Sequence, residues 1–356
     1  MAEKYKVIVN KLELELKKMR SEGRTRLPSE QDLCSEFSCS RQTIRAALDV
    51  LLQKGLIVKR RGAGSYIADD SFNNRTVFFM TEDCDRYQSP ALISGLKEQL
   101  SNSKYELRSF SGCGSVSEES KILSCVIKER PAALIIEPAK DLIPDPNTRL
   151  IEEIENEGIP VIYLNSSLGK IHVASDNYEG GRELTKHVLE SGRKKTACIF
   201  RIDDSSGRDR YKGYIDALLD ADADYDESRC FLMTYKEEKE IISGDDKKFA
   251  SFIDNNLFGC DSVICQNGMI AHQLVNMLNK RGVSVPDDVY VACFDNSYYS
   301  ANGAAITSLG YDDEFLCKAL AKTAVSLAEG KRALDVEIPF VMNKRISTLS
   351  NQQIPV

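Results

Sequence analysis

Apolar side chains lie four apart at Leu33 and Phe37, then four and three apart at Ile44, Leu48 and Leu51. From position 56 they fall in two short runs, LIVKRR and SYIA, rich in β-branched and aromatic residues. The first two spacings predict helices with one buried face, and the two runs predict paired strands. Ser29, with Asp32 three residues on, is placed to cap the first helix, and Ser40 to cap the second. On the second helix Gln42, Arg45 and Asp49 fall opposite the apolar stripe, and the short Ala46 among them lets that face approach another surface closely. Lys54 and Gly55 close it with a cation in the last turn and a residue free to take positive φ, and Gly62-Ala63-Gly64 forms the tip between the strands. Val9, Leu12, Leu16 and Met19 give an upstream helix its own apolar face.

Helix, tight turn, helix and hairpin outline a winged helix-turn-helix of α+β class over residues 1–68. Caps, stripes and a closing glycine occur in any small helical domain. The coincidence of the turn length with an exposed arginine face and a basic hairpin is what points to double-stranded DNA. Charge is divided accordingly. The whole chain carries a net −7, yet residues 1–74 hold 14 Lys or Arg against 10 Asp or Glu, and the rest 33 against 44. The field that steers phosphates is that of the face presented to them, not of the whole chain.

The polar stretch 69–74 reads as a linker. Beyond it, TVFFMT, YELRSF, AALIIEP, IPVIYLN, HVAS, KTACIF, CFLMTY, DSVICQN and VYVACFD are short runs of the kind buried on both faces of a sheet. Amphipathic helices are predicted between them at 92–101, 117–128, 148–157, 181–190, 210–219, 247–254 and 270–281. This alternation predicts two successive doubly wound parallel α/β lobes. A ligand crevice is expected outside the carboxyl ends of their strands, where TEDCDRY, EPAK, NSS, RIDDSSGRDR, QNG and FDNS lie.

Several classes of function are disfavoured. The 11 cysteines include no CxxC pair and the three histidines, His172, His187 and His272, are far apart, so a metal site is not expected and the thiols read as reduced and cytosolic. The start MAEKYKVIVNK has no apolar signal core, and no run approaches the roughly 18 apolar residues of a membrane span, so a cytoplasmic chain with no membrane partner is expected. There is no GxSxG elbow and no GK[ST] phosphate loop, and no carboxylate pair has assigned acid and base surroundings. Neither an enzyme nor a cofactor is expected.

The residues PSE, SRQTIRAAL and the basic wing with Gly62 and Gly64 resemble the GntR family of bacterial regulators. By position, that resemblance implies DNA contacts from Glu30, Gln31, Ser40, Arg41, Gln42, Thr43, Arg45, Arg61 and Gly62, with Gln31 standing where many members carry Arg. SDNYEGGRELTKHVLESGRKKTACIF, GRDRYKGYIDAL, GVSVPDDVYVACFDNS and NKRIS resemble the effector domain of the LacI family, itself similar to periplasmic sugar-binding proteins. That likeness implies a two-lobed, periplasmic-binding-protein-like α/β body, with one lobe from residues 75–190 and 312–341 and the other from 191–311 and 342–356.

The joint layout resembles that of the arabinose-responsive repressors of Gram-positive bacteria, and LIIEPAK, NEGIPVIYLNSS and IFRIDD are similar to that group. It implies a homodimer on operator DNA released by a small sugar, L-arabinose first, with effector contacts from Asp176, Arg210, Asn267 and Asp295. Glu137, Lys140, Arg201 and Asp204 lie in the stretches similar to the arabinose group and are secondary candidates. The chemistry suits a sugar: carboxylates and amides accept or bridge vicinal hydroxyls, and a guanidinium fork donates to adjacent oxygens. Tyr87 and Tyr311 are candidates to cover the sugar's apolar face in a chain without tryptophan. An Asp ending a parallel strand also serves as a helix cap, and the run from Lys236 to Glu240 reads as a solvated helix face. A plain cytosolic sugar-binding protein, or an activator answering another carbohydrate, remains open beside the repressor reading. The linker has no pattern for a hinge helix, so the joint between head and body is expected to be loose.

Overall fold

The computed structural model describes residues 2–22, 24, 26–54, 56–60, 64–67, 75–85, 88–138, 141, 146–166, 168–245, 247–302 and 305–349. Three helices and a hairpin form the head: α1 (Ala2–Ser21), α2 (Glu30–Glu36), α3 (Arg41–Gln53), β1 (Ile57–Arg60) and β2 (Gly64–Ile67). Ser29 and Ser40 begin α2 and α3 as their positions predict, and Ser29 and Asp32 exchange backbone N–H groups in a capping box. Leu33, Ile44, Leu48 and Leu51 pack against Val9, Leu12, Leu16 and Met19 of α1, with Ile57 and Ile67 of the hairpin closing the core. The wing tip, Arg61 to Ala63, and the linker 69–74 lie outside the described residues.

The body comprises, in chain order, β3 (Thr76–Thr81), α4 (Ser89–Asn102), β4 (Glu106–Ser111), α5 (Val116–Glu129), β5 (Ala133–Ile136), α6 (Thr148–Asn156), β6 (Val161–Leu164), β7 (His172–Ala174), α7 (Asn177–Glu190), β8 (Thr196–Arg201) and α8 (Ser205–Asp220). There follow β9 (Cys230–Met233), α9 (Tyr235–Ser243), α10 (Lys247–Asn256), β10 (Ser262–Cys265), α11 (Gly268–Lys280), β11 (Tyr290–Phe294), α12 (Tyr298–Ala301), β12 (Thr307–Tyr311), α13 (Asp313–Ala328), β13 (Val336–Glu337) and β14 (Phe340–Asn343). Two six-stranded sheets result, ordered β13-β7-β6-β5-β3-β4 and β14-β12-β11-β10-β8-β9, all parallel except β14. Each has an apolar core on both faces, which is why its strands read as continuous apolar runs rather than alternating ones. No helix among the described residues is long and apolar enough to cross a membrane.

The lobe boundaries fall earlier than the sequence suggests. Leu184 and Val188 of α7 pack with Cys198, Phe200, Tyr214 and Leu218, so α7 belongs to the second lobe and the first crossing precedes Asp176 rather than following Glu190. The chain returns after Tyr311, and it leaves the first lobe again after Ile338, because β14 pairs with β12 from residue 340 on. All three crossings lie on the side of β7, β13, β12 and β14, leaving β4 and β9 as the free edges on the opposite side.

Head and body touch through charge. Lys54, ending α3, reaches Glu13 of α1 at 3.1 Å and Glu157, ending α6, at 3.3 Å. Arg130 also holds Glu157. Burial works to raise the Glu157 carboxyl's pKa, and Arg130 and Lys54 together bring it below its usual value.

Helices α7 and α8 cross backbone to backbone. A Cβ on Gly181 would lie 2.3 Å from the Arg210 carbonyl oxygen, and one on Gly213 would lie 2.1 Å from the Tyr178 carbonyl oxygen. That approach brings Asn177 and Arg210 within hydrogen-bond reach at the helix starts, 2.8 Å apart. Gly213→Ala must push the helices apart, and overpacking of this kind costs about 1–3 kcal/mol. A lowered denaturation midpoint is expected, and a midpoint equal to that of the parent would contradict this account of the crossing.

Candidate functional site

Two surfaces carry chemistry. On the head, Gln31, Arg41, Gln42 and Arg45 are exposed and Glu30 is partly so, all on α2 and α3. Arg45 donates from Nε to Glu30 at 2.9 Å, which ties the two helices and holds the guanidinium at their shared face. Ser40 accepts the Thr43 N–H at 3.3 Å, and the two hydroxyls lie 2.9 Å apart, so both serve first in starting α3. Arg61 and Gly62 lie outside the described residues.

The second surface is a cavity of about 150 Å³ between the two sheets, at the carboxyl ends of their strands. Glu137, Arg201, Asp204, Arg210, Asn267, Asp295 and Tyr311 all line it. Asp176 does not: it is exposed and caps α7 by accepting the Glu179 N–H at 2.9 Å, and its neighbour Asn177 enters the cavity instead. The helix begins directly at the strand end, and this turns the side chain of the cap outward. Tyr87 and Lys140 lie outside the described residues.

Most of the polar groups in the cavity are positioned by a strand end or a helix start, and Arg210 by the second turn of α8. Arg210 is partly buried, donates to Asn177 Oδ1 at 2.8 Å and the Gln266 carbonyl at 2.9 Å, and stacks 4.1 Å from the Phe294 ring centroid. Burial lowers its pKa against the pull of Asp204 and Asp295. Arg201 is largely buried, its side chain 11% exposed, but there the opposing charge wins. Asp204, Glu82 and Glu238 surround its guanidinium, overcome the burial penalty and hold its pKa well above the usual value. Asp295, in the left-handed region with φ 68°, accepts N–H groups from Gly268 at 3.2 Å and Ser297 at 3.3 Å. Asn267 starts α11 by accepting the Ile270 N–H at 3.0 Å and donates to Glu238. Glu137 accepts from Thr81 Oγ1 at 2.5 Å and Asn165 Nδ2 at 3.3 Å. Burial pushes the Tyr311 phenol's pKa up, so its hydroxyl is available as a donor.

The two lobes are bound to each other across this cavity. Glu82 of the first meets Arg201 of the second at 3.0 Å. Asp141 of the first accepts the Ser205 N–H at 2.7 Å, and Ser206 donates to the Asn165 carbonyl at 3.2 Å.

Glu82, Asn177 and Gln266 sit at the same strand-end positions as the residues named from sequence, and choosing every polar residue at those ends would have found them. Glu238 had no such signal: in the apparently solvated run from Lys236 to Glu240 it is buried at 1% exposure, facing Arg201 and Asn267. The Gln266 side-chain oxygen, lining the cavity, is buried with no hydrogen-bond partner among the described residues. A buried acceptor of this kind is stabilised once a ligand donates to it.

Residues 4–67 match the gntR family of bacterial regulatory proteins, and residues 185–347 match the periplasmic binding protein-like domain. The chain is thus a transcriptional regulator that joins a GntR-type winged helix-turn-helix to a two-lobed, periplasmic-binding-protein-like body. It is similar to the arabinose metabolism transcriptional repressor of Halalkalibacterium halodurans (strain ATCC BAA-125 / DSM 18197 / FERM 7344 / JCM 9153 / C-125), 27% identical over 86% of this chain and 84% of that one. The arabinose metabolism transcriptional repressor of Geobacillus stearothermophilus is 25% identical over 87% and 86%. In fold it is similar to a solved transcriptional regulator CelR–cellobiose complex, with a TM-score of 0.68 and 19% identity over 87% of this chain and 91% of that one.

With Arg45 exposed on the outer face of α3, Arg45→Ala is expected to weaken operator binding by about 1–3 kcal/mol at fixed salt, as for loss of a base contact. Unchanged affinity in a fluorescence anisotropy titration would remove Arg45 from the DNA interface.

Proposed function

We propose that this chain is a sugar-responsive transcriptional repressor that binds operator DNA as a homodimer and is released when a small neutral sugar, L-arabinose first, occupies the interlobe cavity. The observation that carries this reading is the cavity itself, with a buried acceptor on Gln266 that has no partner among the described residues, on a chain with a gntR-type head. Its described lining presents seven carboxylates, on Glu82, Asp83, Glu137, Asp141, Asp204, Asp295 and Asp313, against the guanidinium groups of Arg201 and Arg210. Such an excess repels a phosphorylated or acidic sugar and suits hydroxyl donors. A volume of about 150 Å³ gives room for on the order of ten water-sized groups, the scale of a single sugar ring. The arabinose repressors named above agree with a pentose. The cellobiose complex, at 19% identity, bears on fold alone.

In this reading the effector domains pair about a two-fold axis and hold two heads over half-sites whose spacing follows that axis. Sugar draws the lobes into an arrangement that no longer suits that spacing, and it does so only to the extent that it binds the two arrangements unequally.

The test is a gel-shift of the purified chain on the promoter of its own operon, titrated with a panel of sugars. A complex that L-arabinose dissolves, and that a pentose phosphate does not, is expected. No shift, or a shift indifferent to every pentose, would refute the reading. Because the Gln266 side-chain oxygen has no partner among the described residues, Gln266→Leu is expected to leave thermal stability unchanged and to weaken sugar binding by about 0.5–1.5 kcal/mol in calorimetry. Parental affinity in that variant would take Gln266 out of the site.

A further inference from the structure

The three chain crossings fix one side of the cleft, so ligand entry and exit belong to the other, where β4 and β9 are the sheet edges. There the turn after β4 meets the start of α9. The turn is locked to the cavity rim: Gly112 donates its N–H to the Thr81 carbonyl at 2.8 Å and Cys113 to the Glu82 carbonyl at 2.6 Å. Gly114 follows with φ 60°, and a Cβ placed on it would lie 2.3 Å from Cε1 and 2.4 Å from Cδ1 of Tyr235. The Tyr235 ring therefore rests on bare backbone of the opposite lobe, a contact that only glycine permits. It is held from its own lobe by Asp203, whose carboxylate accepts the Tyr235 N–H at 3.1 Å. One turn along α9, Lys239 sits 4.9 Å from the ring centroid and 3.6 Å from Asp83 of the first lobe. On the inner side, Arg201 lies 5.5 Å from the same centroid and pairs with Glu82. Going outward, the order is cavity, Glu82–Arg201 pair, then Tyr235 on Gly114.

We propose that Tyr235, seated on Gly114, is the stop that closes the far end of the cleft, limits the ligand to one sugar ring and slows its escape. This rests on the reading of the cavity as a sugar site. A second ring extending toward the β4 and β9 edges has to part Glu82 from Arg201 and lift the aromatic ring off the glycine. A ligand contained within the cavity leaves both contacts intact. Tyr235 itself does not line the cavity, so its removal changes the closure and not the polar groups that meet the sugar.

The test uses the full chain with Tyr235→Ala, Tyr235→Phe and Gly114→Ala, each first shown to melt cooperatively. Stopped-flow release of L-arabinose and calorimetry with L-arabinose and cellobiose are the readouts. Tyr235→Ala is expected to release the pentose at least tenfold faster and to lose at least tenfold of the parent's preference for pentose over disaccharide, with Tyr235→Phe like the parent because the ring does the sealing. Gly114→Ala should move in the direction of Tyr235→Ala, since its methyl group displaces the ring. A Tyr235→Ala variant with parental release rate and parental preference would overturn the proposal. Should the parent bind no pentose, the sugar reading fails, and small-angle scattering of the free proteins still decides the stop. A larger radius of gyration for Tyr235→Ala and Gly114→Ala than for the parent supports it, and equal radii overturn it.

Discussion

Arg201 is a cation taken out of water at the junction of two lobes, and most of the effector domain's behaviour follows from how its charge is matched. Within its own lobe it faces Asp204, Asp203 and Glu238, and from the other lobe it faces Glu82. Breaking a buried ion pair leaves an uncompensated charge, which is far more costly than losing an exposed one. The lobes are thus coupled electrostatically at the cavity between them. Glu238 fixes Asn267 as well as Arg201, so one buried carboxylate sets the position of two cavity groups. The surplus of carboxylates over guanidinium groups leaves acceptors in need of donors, and a neutral polyol supplies donors without adding charge.

The head is joined to the first lobe by charge. The first lobe carries Glu157, and Lys54 of the recognition helix is bound to it alongside Glu13. The joint expected from the linker's composition to be loose therefore has a defined polar contact at one point. A shift of the population from about 1:99 to 99:1 requires the sugar to prefer one arrangement by roughly 10⁴-fold, about 5.5 kcal/mol. A few interlobe contacts of the kind seen in Glu82–Arg201 and Asp141–Ser205 would supply differences of that order if the second arrangement lacked them.

Much of this was legible in the chain. The caps at Ser29 and Ser40, the stripe of Ile44, Leu48 and Leu51, and the strand runs are local patterns, and local patterns survive folding. The ends of parallel strands were recognisable as the lining of the crevice because their position follows from topology alone. What the sequence did not disclose is non-local. Glu238 reads as solvent-facing until α9 packs against the cavity, and Asp141 gains its role only when the second lobe presents Ser205. Asp176 was misplaced for a related reason: a cap and a ligand group look alike in sequence, and helix start geometry separates them. The lobe boundary at α7 moved because its apolar face, Leu184 and Val188, has no mark of which sheet it covers.

The central claim is that cavity and DNA face share one equilibrium, and linkage makes that claim reciprocal: the factor by which sugar weakens operator binding must equal the factor by which operator weakens sugar binding. The direct measurement is L-arabinose affinity of the full chain, by calorimetry, with and without saturating operator duplex, set beside operator affinity with and without saturating sugar. The account predicts two equal factors, both well above one. Sugar affinity untouched by operator would contradict it.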